Sequence, residues 1–441
     1  MPSPFDSEAV YCRPVRRLFP PILLLLVFLA CAPDAAGQGP SSCTTAGQNL
    51  YVRDVMSDIY FWYRELPSLD PVEFNSPEEY LEAIRYLPLD RRFSYITSRA
   101  ANDAFFSDSQ FIGFGFSTVI TAAGELRVSD VFPESPAAEA NLSRGDRIVE
   151  INGQSVEALL AGGGLGDVFG PSEVGVERQL LVRRGGSTYQ AHMTKRVVTI
   201  PTVSLTRVYE MNGRRIGYVS FKNFVEPSFA ALDTAFADLQ ARQVGELVLD
   251  LRYNGGGLVS VAQRLASLIG GTRTSGLVFA EYFHNDRNTF RNRVLRFEPT
   301  TYALTLDRLV VITTHASASA SELVINALRP FMPVVVIGDR TYGKPVGQYG
   351  IPFCDKLLAP VSFTVRNADG QGDYFDGIAP TCAAQDDLDA PLGDPQEGSL
   401  REAIGMILTG QCSASPTGLA PSRRRSMAPV SNGWQSLVGA Q

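Results

Sequence analysis

The sequence predicts a multidomain mixed α/β (α+β) protein: a small N-terminal helical domain, a β-rich module of the sandwich or barrel type, and a larger α/β core. Three observations carry this expectation. Val52, Val55, Ile59, Trp62 and Leu66 recur at three- and four-residue steps, the period of one apolar helix face. Over residues 111–197 short strands and turns replace that period, and from Arg214 onward apolar strands alternate with helices, the signature of a sheet with covered faces. The 441 residues, 45% hydrophobic, supply two or three cores, since single cores stop growing at roughly 250–300 residues. Charged residues are 19% and the net charge is −7. With no basic stripe in the body of the chain, nucleic acid is excluded as a partner. The dense basic run Arg423-Arg424-Arg425 lies in a Ser/Pro/Gly-rich stretch that reads as a solvated tail.

At the N-terminus, Arg13, Arg16 and Arg17 precede an apolar run over residues 22–30, too short to span a bilayer of roughly 30 Å as a helix. Basic residues, a short apolar run and small residues describe an export signal. Two endings compete. Phe28-Leu29-Ala30-Cys31 makes Cys31 a candidate for lipidation and membrane attachment, whereas Ala35-Ala36-Gly37 offers cleavage to a soluble protein. Export places Cys43, Cys354, Cys382 and Cys412 in an oxidising compartment, where they allow two disulfides in three pairings. Cys354–Cys382 with Cys43–Cys412 is the expected pairing. The spacing is no zinc pattern, and three His leave little material for a metal site.

The first helix is expected to run to Pro67. Ser76-Pro77-Glu78-Glu79 announces a second by an N-cap Ser, Pro at the first helical position and Glu three residues after the cap, with Tyr80, Ile84 and Leu87 on its apolar face. The aromatics of this region read as core rather than as a ligand box. Beyond Ile112-Gly113-Phe114-Gly115-Phe116 follow an alternating strand over 126–132 and a capped short helix at Ser135-Pro136-Ala137-Ala138. Next comes Gly145-Asp146-Arg147-Ile148-Val149-Glu150-Ile151-Asn152-Gly153, a turn, a strand and an Asn-Gly hairpin. This succession resembles a PDZ domain. By that resemblance Gly113, Phe114, Gly115 and Phe116 form the loop that binds a peptide's terminal carboxylate. Glycines let successive N–H groups point at the anion while the peptide adds as a strand to a sheet edge. The alternative is a PDZ fold that only braces the core.

In the α/β part, strands are expected over 216–221, 246–251, 309–313 and 334–337, with helices over 227–240, 258–268 and 320–328. Sites in such sheets lie at the carboxyl ends of the strands, where three turns fall: Asn254-Gly255-Gly256-Gly257, Ser317-Ala318-Ser319-Ala320-Ser321-Glu322 and Gly343-Lys344-Pro345-Val346-Gly347-Gln348. A Ser at a helix start is most often a cap. A Lys from a Gly-flanked loop beside the same sheet, and a glycine turn able to aim N–H groups at an oxyanion, give it a second reading. Residues 272–307, with Phe279, Tyr282, Phe283 and Phe290, form either a lid over the cleft or part of the core.

Asp250-Leu251-Arg252-x-Asn254-x-Gly256-Gly257, the Ser317–Glu322 run and Thr341-Tyr342-Gly343-Lys344-x-x-x-Gln348 resemble, in order and behind a PDZ-like module, the C-terminal processing peptidases and their exported relatives. The resemblance covers roughly residues 45–412 and extends to Asp376-Gly377-Ile378-Ala379-Pro380 and Leu392-Gly393-Asp394-Pro395. It implies a serine endopeptidase core of crotonase-like ββα-spiral type that needs no cofactor. Ser319 would be the nucleophile, Lys344 the base, Gln348 the group that positions the Lys, and Ala320 with Gly256 or Gly255 the oxyanion hole. An ordinary Lys has a pKa near ~10.4, which enzymes bring to about 7–8 by burial. Ser317 and Ser321 remain alternative nucleophiles. Glu322 is accounted for by the helix dipole.

His315 stands where Gly or a small polar residue is expected, and lies on the strand leading into the Ser turn. Pro345 replaces a usual Gly, which stiffens the loop and leaves the placement of Gln348 open. The implied boundaries are 1–37 for the export signal and linker, 43–108 for the helical domain and 109–197 for the PDZ domain. The peptidase domain follows over 198–412 and a disordered tail over 413–441. Polypeptides with apolar C-terminal tails are the implied partners, and the compartment is periplasmic or outer-membrane-anchored in a bacterium. A catalytically silent PDZ scaffold and an esterase or carrier on the same fold are the competing readings.

Overall fold

The structure, a computed structural model, describes residues 39–90 and 93–413. Cys31, the remainder of the export signal and most of the 413–441 tail lie outside the described residues. Among the described residues no helix is long and apolar enough to cross a membrane.

The core is a six-stranded sheet in the order Val203–Met211, Arg214–Phe221, Glu246–Asp250, Leu309–Thr313, Val334–Gly338, Cys382–Ala383. The first pair is antiparallel and every later pair parallel. Side chains alternate across the pleat. Val219, Phe221, Leu249 and Val311 pack against the helices Ser228–Ala241, Val259–Gly270 and Ala320–Leu328. Tyr218, Val248, Val310 and Ile312 face the helix Gly398–Thr409. Covered on both faces, the strands read in the sequence as continuous apolar runs, and each expected element of this sheet lies within a few residues of its expected place.

Residues 272–307 belong to the core rather than to a lid. Val278–His284 and Arg293–Arg296 form a hairpin in a second sheet, of order Arg293–Arg296, Val278–His284, Val361–Arg366, Val346–Gln348. Phe279 and Tyr282 are buried, Tyr282 stacking on Phe363 at 4.2 Å, while Phe290 is exposed.

The N-terminal helix Thr45–Ile59 stops short of Pro67. The chain turns extended at Tyr60 because its ring is wanted elsewhere: the hydroxyl donates to buried Asp90 (3.0 Å), and Phe61 N–H donates to Val361 O (2.8 Å). The tertiary contacts override the apolar period, and Trp62 and Leu66 lie beyond the helix. In Pro77–Ile84, Ser76 Oγ accepts from Glu79 N–H (3.1 Å) as the cap pattern requires. Leu87, expected on its apolar face, falls past the helix end and is exposed. These helices share one core with Val346, Phe353, Leu358 and Val361, and Tyr95–Ser98 pairs with Lys356–Ala359. The N-terminal region is thus built into the second half of the chain.

The disulfides are Cys43–Cys354 and Cys382–Cys412, which corrects the expected pairing. Cys354 turns the hairpin that packs against the N-terminal helices, so Cys43 ahead of the first helix meets it. Cys382 lies on the last strand of the main sheet, beside the end of the C-terminal helix, where Cys412 follows.

The β-rich module is a sheet of order Phe116–Ile120, Leu126–Val131, Arg147–Ile151, Glu177–Arg184, Ser187–Thr194. Asn152 and Gly153 both adopt positive φ, the conformation an Asn-Gly hairpin turn demands. Ser135 Oγ caps the short helix Pro136–Glu139 by accepting from Ala138 N–H (3.2 Å).

Candidate active site

Three turns meet at the carboxyl ends of the parallel strands, joined by hydrogen bonds from their own side chains. Asn254 is the organiser. Its Nδ2 donates to Phe221 O (2.9 Å), its Oδ1 accepts from Gly256 N–H (2.9 Å), and its carbonyl accepts from Ala318 N–H (3.0 Å) and Ser321 Oγ (2.9 Å). Ser317 Oγ donates to Leu251 O (2.7 Å) and accepts from Thr314 N–H (3.0 Å). Both alternative serines are fully buried and spend their hydroxyls holding the Ser turn to the glycine turn.

Ser319 stands between them as the N-cap of Ala320–Leu328, with φ 55° and ψ −111°. Gly256 lies against it: a β-carbon there would come within 2.7 Å of Ala320 N and 2.9 Å of Ser319 Cβ, and its φ is 98°. Only glycine permits this approach. Ala320 opens the helix, so its N–H has no intrahelical acceptor. The structure brings Ser319, Ala320 and Gly256 together, yet Gly256 N–H is engaged by Asn254 Oδ1.

Lys344 arrives from the loop after Val334–Gly338 and is 5% exposed. Its Nζ donates to Gln348 Oε1 (2.7 Å) and lies 5.8 Å from the centre of the Phe93 ring. Pro345 does not displace Gln348. The strand Val346–Gln348 pairs with Val361–Arg366, and Gln348 Nε2 donates to the carbonyls of Phe93 and Ala359, which fixes Oε1 towards the lysine. Burial brings the lysine down to about 8, opposed by the negative charges of Asp90 and Glu322.

Sequence reasoning missed two contributors. Glu322, assigned only to the helix dipole, is fully buried and accepts four hydrogen bonds. Oε2 takes Ser319 N–H (2.9 Å) and Lys344 N–H (2.9 Å); Oε1 takes Gly343 N–H (2.7 Å) and Thr341 Oγ1 (2.5 Å). Burial holds this carboxyl above its ordinary value, against the opposing pull of the four donors. The Ser-x-x-Glu spacing at 319–322 was the available signal, since it is a capping-box pattern. The second contributor is the N-terminal segment at Asp90 and Phe93, which supplies a ring, a carbonyl and a charge beside Lys344. It lies more than two hundred residues away and carries no local signal.

His315 is exposed, its ring 5.5 Å from Tyr342. His192 is exposed on its strand. His284 is buried between Asn292 (3.1 Å) and Tyr349 (3.0 Å). In the β-rich module, Gly113 ends the strand Gln110–Gly113 and Gly115 has φ 87°. Phe114 and Phe116 are fully buried in that module's core, so their rings pack inward, and the carbonyls of Phe114 and Gly115 accept from Ala137 N–H (2.8 Å) and Phe132 N–H (2.8 Å). Phe116–Ile120 is the edge strand of the sheet.

Comparison with known proteins finds family matches over three parts of the chain. Residues 215–384 match peptidase family S41, residues 47–95 the peptidase S41 N-terminal domain and residues 106–160 the PDZ domain. The chain is similar to a carboxy-terminal-processing protease of Bartonella bacilliformis, 27% identical over 68% of each chain. It is also similar to the carboxy-terminal processing protease CtpB of Bacillus subtilis, 26% identical over 63% of this chain and 56% of that one. Among solved structures, one assigned as an S41 protease from Bacteroides fragilis superposes with a TM-score of 0.67. It is 29% identical, covering 82% of this chain and 97% of the other.

Proposed function

We propose, from the premise that this chain belongs to peptidase family S41, that it is an exported serine endopeptidase with a Ser319–Lys344 dyad. The observation that carries the reading is Lys344, a buried amine brought to about 8 and held by Gln348, in one hydrogen-bonded frame with Ser319. A neutral lysine Nζ takes the Ser319 Oγ proton as the oxygen attacks the scissile carbonyl carbon. Ala320 N–H and one glycine-turn N–H receive the developing oxyanion. With Gly256 N–H drawn to Asn254, Gly255 is the favoured second donor. The protonated lysine returns its proton to the leaving amine, and the amine departs. Lys344 then takes a proton from water as the water attacks the acyl-serine carbonyl carbon, and it returns that proton to Ser319 Oγ as the C–O bond to the serine breaks and the acid product leaves.

The substrates in this reading are unfolded or C-terminally accessible polypeptides. An apolar C-terminal tail would add to the Phe116–Ile120 edge, its carboxylate against the backbone of residues 113–116. Two disulfides support an oxidising compartment, and with the N-terminal signal they favour export to a bacterial periplasm, by lipid attachment at Cys31 or as a soluble form.

The test is degradation of casein by the mature protein beside Ser319→Ala and Lys344→Ala. Loss of cleavage by both folded variants, by about 10³-fold or more, is expected. Cleavage by Lys344→Ala at the wild-type rate would remove the dyad. An inactive wild type would favour a binding protein built on the PDZ groove.

A further inference from the structure

We propose that Glu322 is a positioning residue of this peptidase, its buried carboxylate locking the nucleophile turn and the lysine loop into one frame and standing as a fixed charge behind the base. The proposal rests on the Ser319–Lys344 reading. A carboxylate that merely capped the helix would need the N–H of Ser319 alone. Here three of its four bonds go to the segment that carries the other partner of the dyad: Thr341 Oγ1, Gly343 N–H and Lys344 N–H. The chain between Ser319 and Lys344 passes through a helix and a strand, so these bonds, with Tyr342 N–H to Ser317 O (3.0 Å), are the direct ties between the two segments. Thr341 carries the frame further, its Oγ1 accepting from Ile378 N–H (2.7 Å).

Four donors converge on two oxygens, which leaves no lone pair for a proton. An amide at this position cannot reproduce that. On the Oε2 side the NH2 of Gln would meet two N–H donors, and on the Oε1 side it would meet Gly343 N–H while the Thr341 hydroxyl can turn to accept from it, so Glu322→Gln removes at least one bond together with the charge while nearly keeping the volume. Misplacing a reacting pair by an ångström costs on the order of 10²-fold in rate.

The charge has a second consequence, and its direction separates the positioning role from a purely structural one. The ionisable groups around Lys344 are Asp90 from the N-terminal segment and Glu322 from the helix; around Glu322 they are Lys344 and the Tyr374 phenol. Both carboxylates favour the protonated lysine. Removing one while the site stays dry makes the amine lose its proton at lower pH. A site that merely loosened would admit water, and the amine would move up towards the ordinary lysine range.

The experiment measures kcat, KM and the pH dependence of kcat/KM on a short chromogenic peptide for wild type, Glu322→Gln, Thr341→Val and Ser319→Ala, with melting curves for each. For folded Glu322→Gln, kcat is expected to fall by about 10–100-fold with KM nearly unchanged, and the acid limb of the profile to move to lower pH. Wild-type kcat, or an acid limb moved to higher pH, overturns the proposal. Should Glu322→Gln fail to fold, Thr341→Val carries the test: it keeps the charge and removes the hydroxyl's bond to Glu322 along with the one it accepts from Ile378 N–H, so kcat falls with KM and the limb unmoved, and a wild-type kcat overturns the proposal equally. An active Ser319→Ala would defeat the peptidase reading itself. An inactive Ser319→Ala beside an unaffected Glu322→Gln would defeat this inference alone.

Discussion

Ser319 holds a backbone conformation, φ 55° and ψ −111°, that costs a residue with a β-carbon about 1–3 kcal/mol. The surroundings over-determine it. Glu322 holds its N–H, Leu323 N–H donates to its carbonyl (2.8 Å), and Ser317 and Ser321 pin the turn on either side. A hydroxyl at the mouth of a helix N-terminus is the result. Lys344 has the complementary problem, a cation with almost no water, and burial answers it by bringing the amine to about 8. In the proposed dyad Lys344 acts in its neutral form, so kcat/KM for an uncharged peptide should rise about tenfold per pH unit below ~8 and level above it. A limb levelling near pH 6 would instead implicate an imidazole, with His315 the nearest in sequence.

At the scale of elements, the turn that carries each catalytic candidate was legible because strand, glycine turn and helix each leave local marks in composition. The base's surroundings were not. Phe93 precedes the strand Tyr95–Ser98 and reaches Lys344 only because that strand pairs with Lys356–Ala359, whose Ala359 carbonyl accepts from Gln348 Nε2. Phe93→Ala should let water reach Nζ and move the acid limb upward, towards the ordinary lysine value of ~10.4, while casein cleavage at pH 7 declines. An unmoved limb would mean that the ring contributes no desolvation. The helix expected as far as Pro67 shows the limit of periodicity: its apolar spacing continues past Ile59, but Tyr60 and Phe61 are claimed by Asp90 and Val361.

Across the whole molecule, buried charge joins the modules. Arg252 is 1% exposed and pairs with Asp250 (2.7 Å), Asp386 (3.0 Å) and Glu397 (2.9 Å). Arg144 of the PDZ module reaches Asp386 (2.6 Å) and Tyr253 (2.9 Å), the residue just before Asn254. Burial works against the ionised forms of Asp250 and Asp386, but Arg252, joined at Asp386 by Arg144, holds both below the usual carboxylate range. With folded values depressed, the stabilisation is complete above the unfolded value of ~3.9 and is lost as pH falls through the folded values. Arg252→Met leaves these carboxylates without their main partner and should lower stability by about 3–5 kcal/mol at pH 7, read from urea unfolding. An unchanged midpoint would show that the cluster relaxes into water.

The sequence by itself determined the order of the modules, the parallel core strands and the three turns at their carboxyl ends, because each is written in a local period or a short run of glycine, serine and proline. It also carried Phe114 and Phe116 as members of the candidate loop, though not that both rings turn inward. Tertiary structure alone decided the disulfide partners, the ending of the first helix, the engagement of Gly256 N–H by Asn254 and the meeting of Asp90, Phe93 and Glu322 around Lys344. Those depend on which distant groups compete for one hydrogen bond or one buried space. Local periodicity holds no record of that competition.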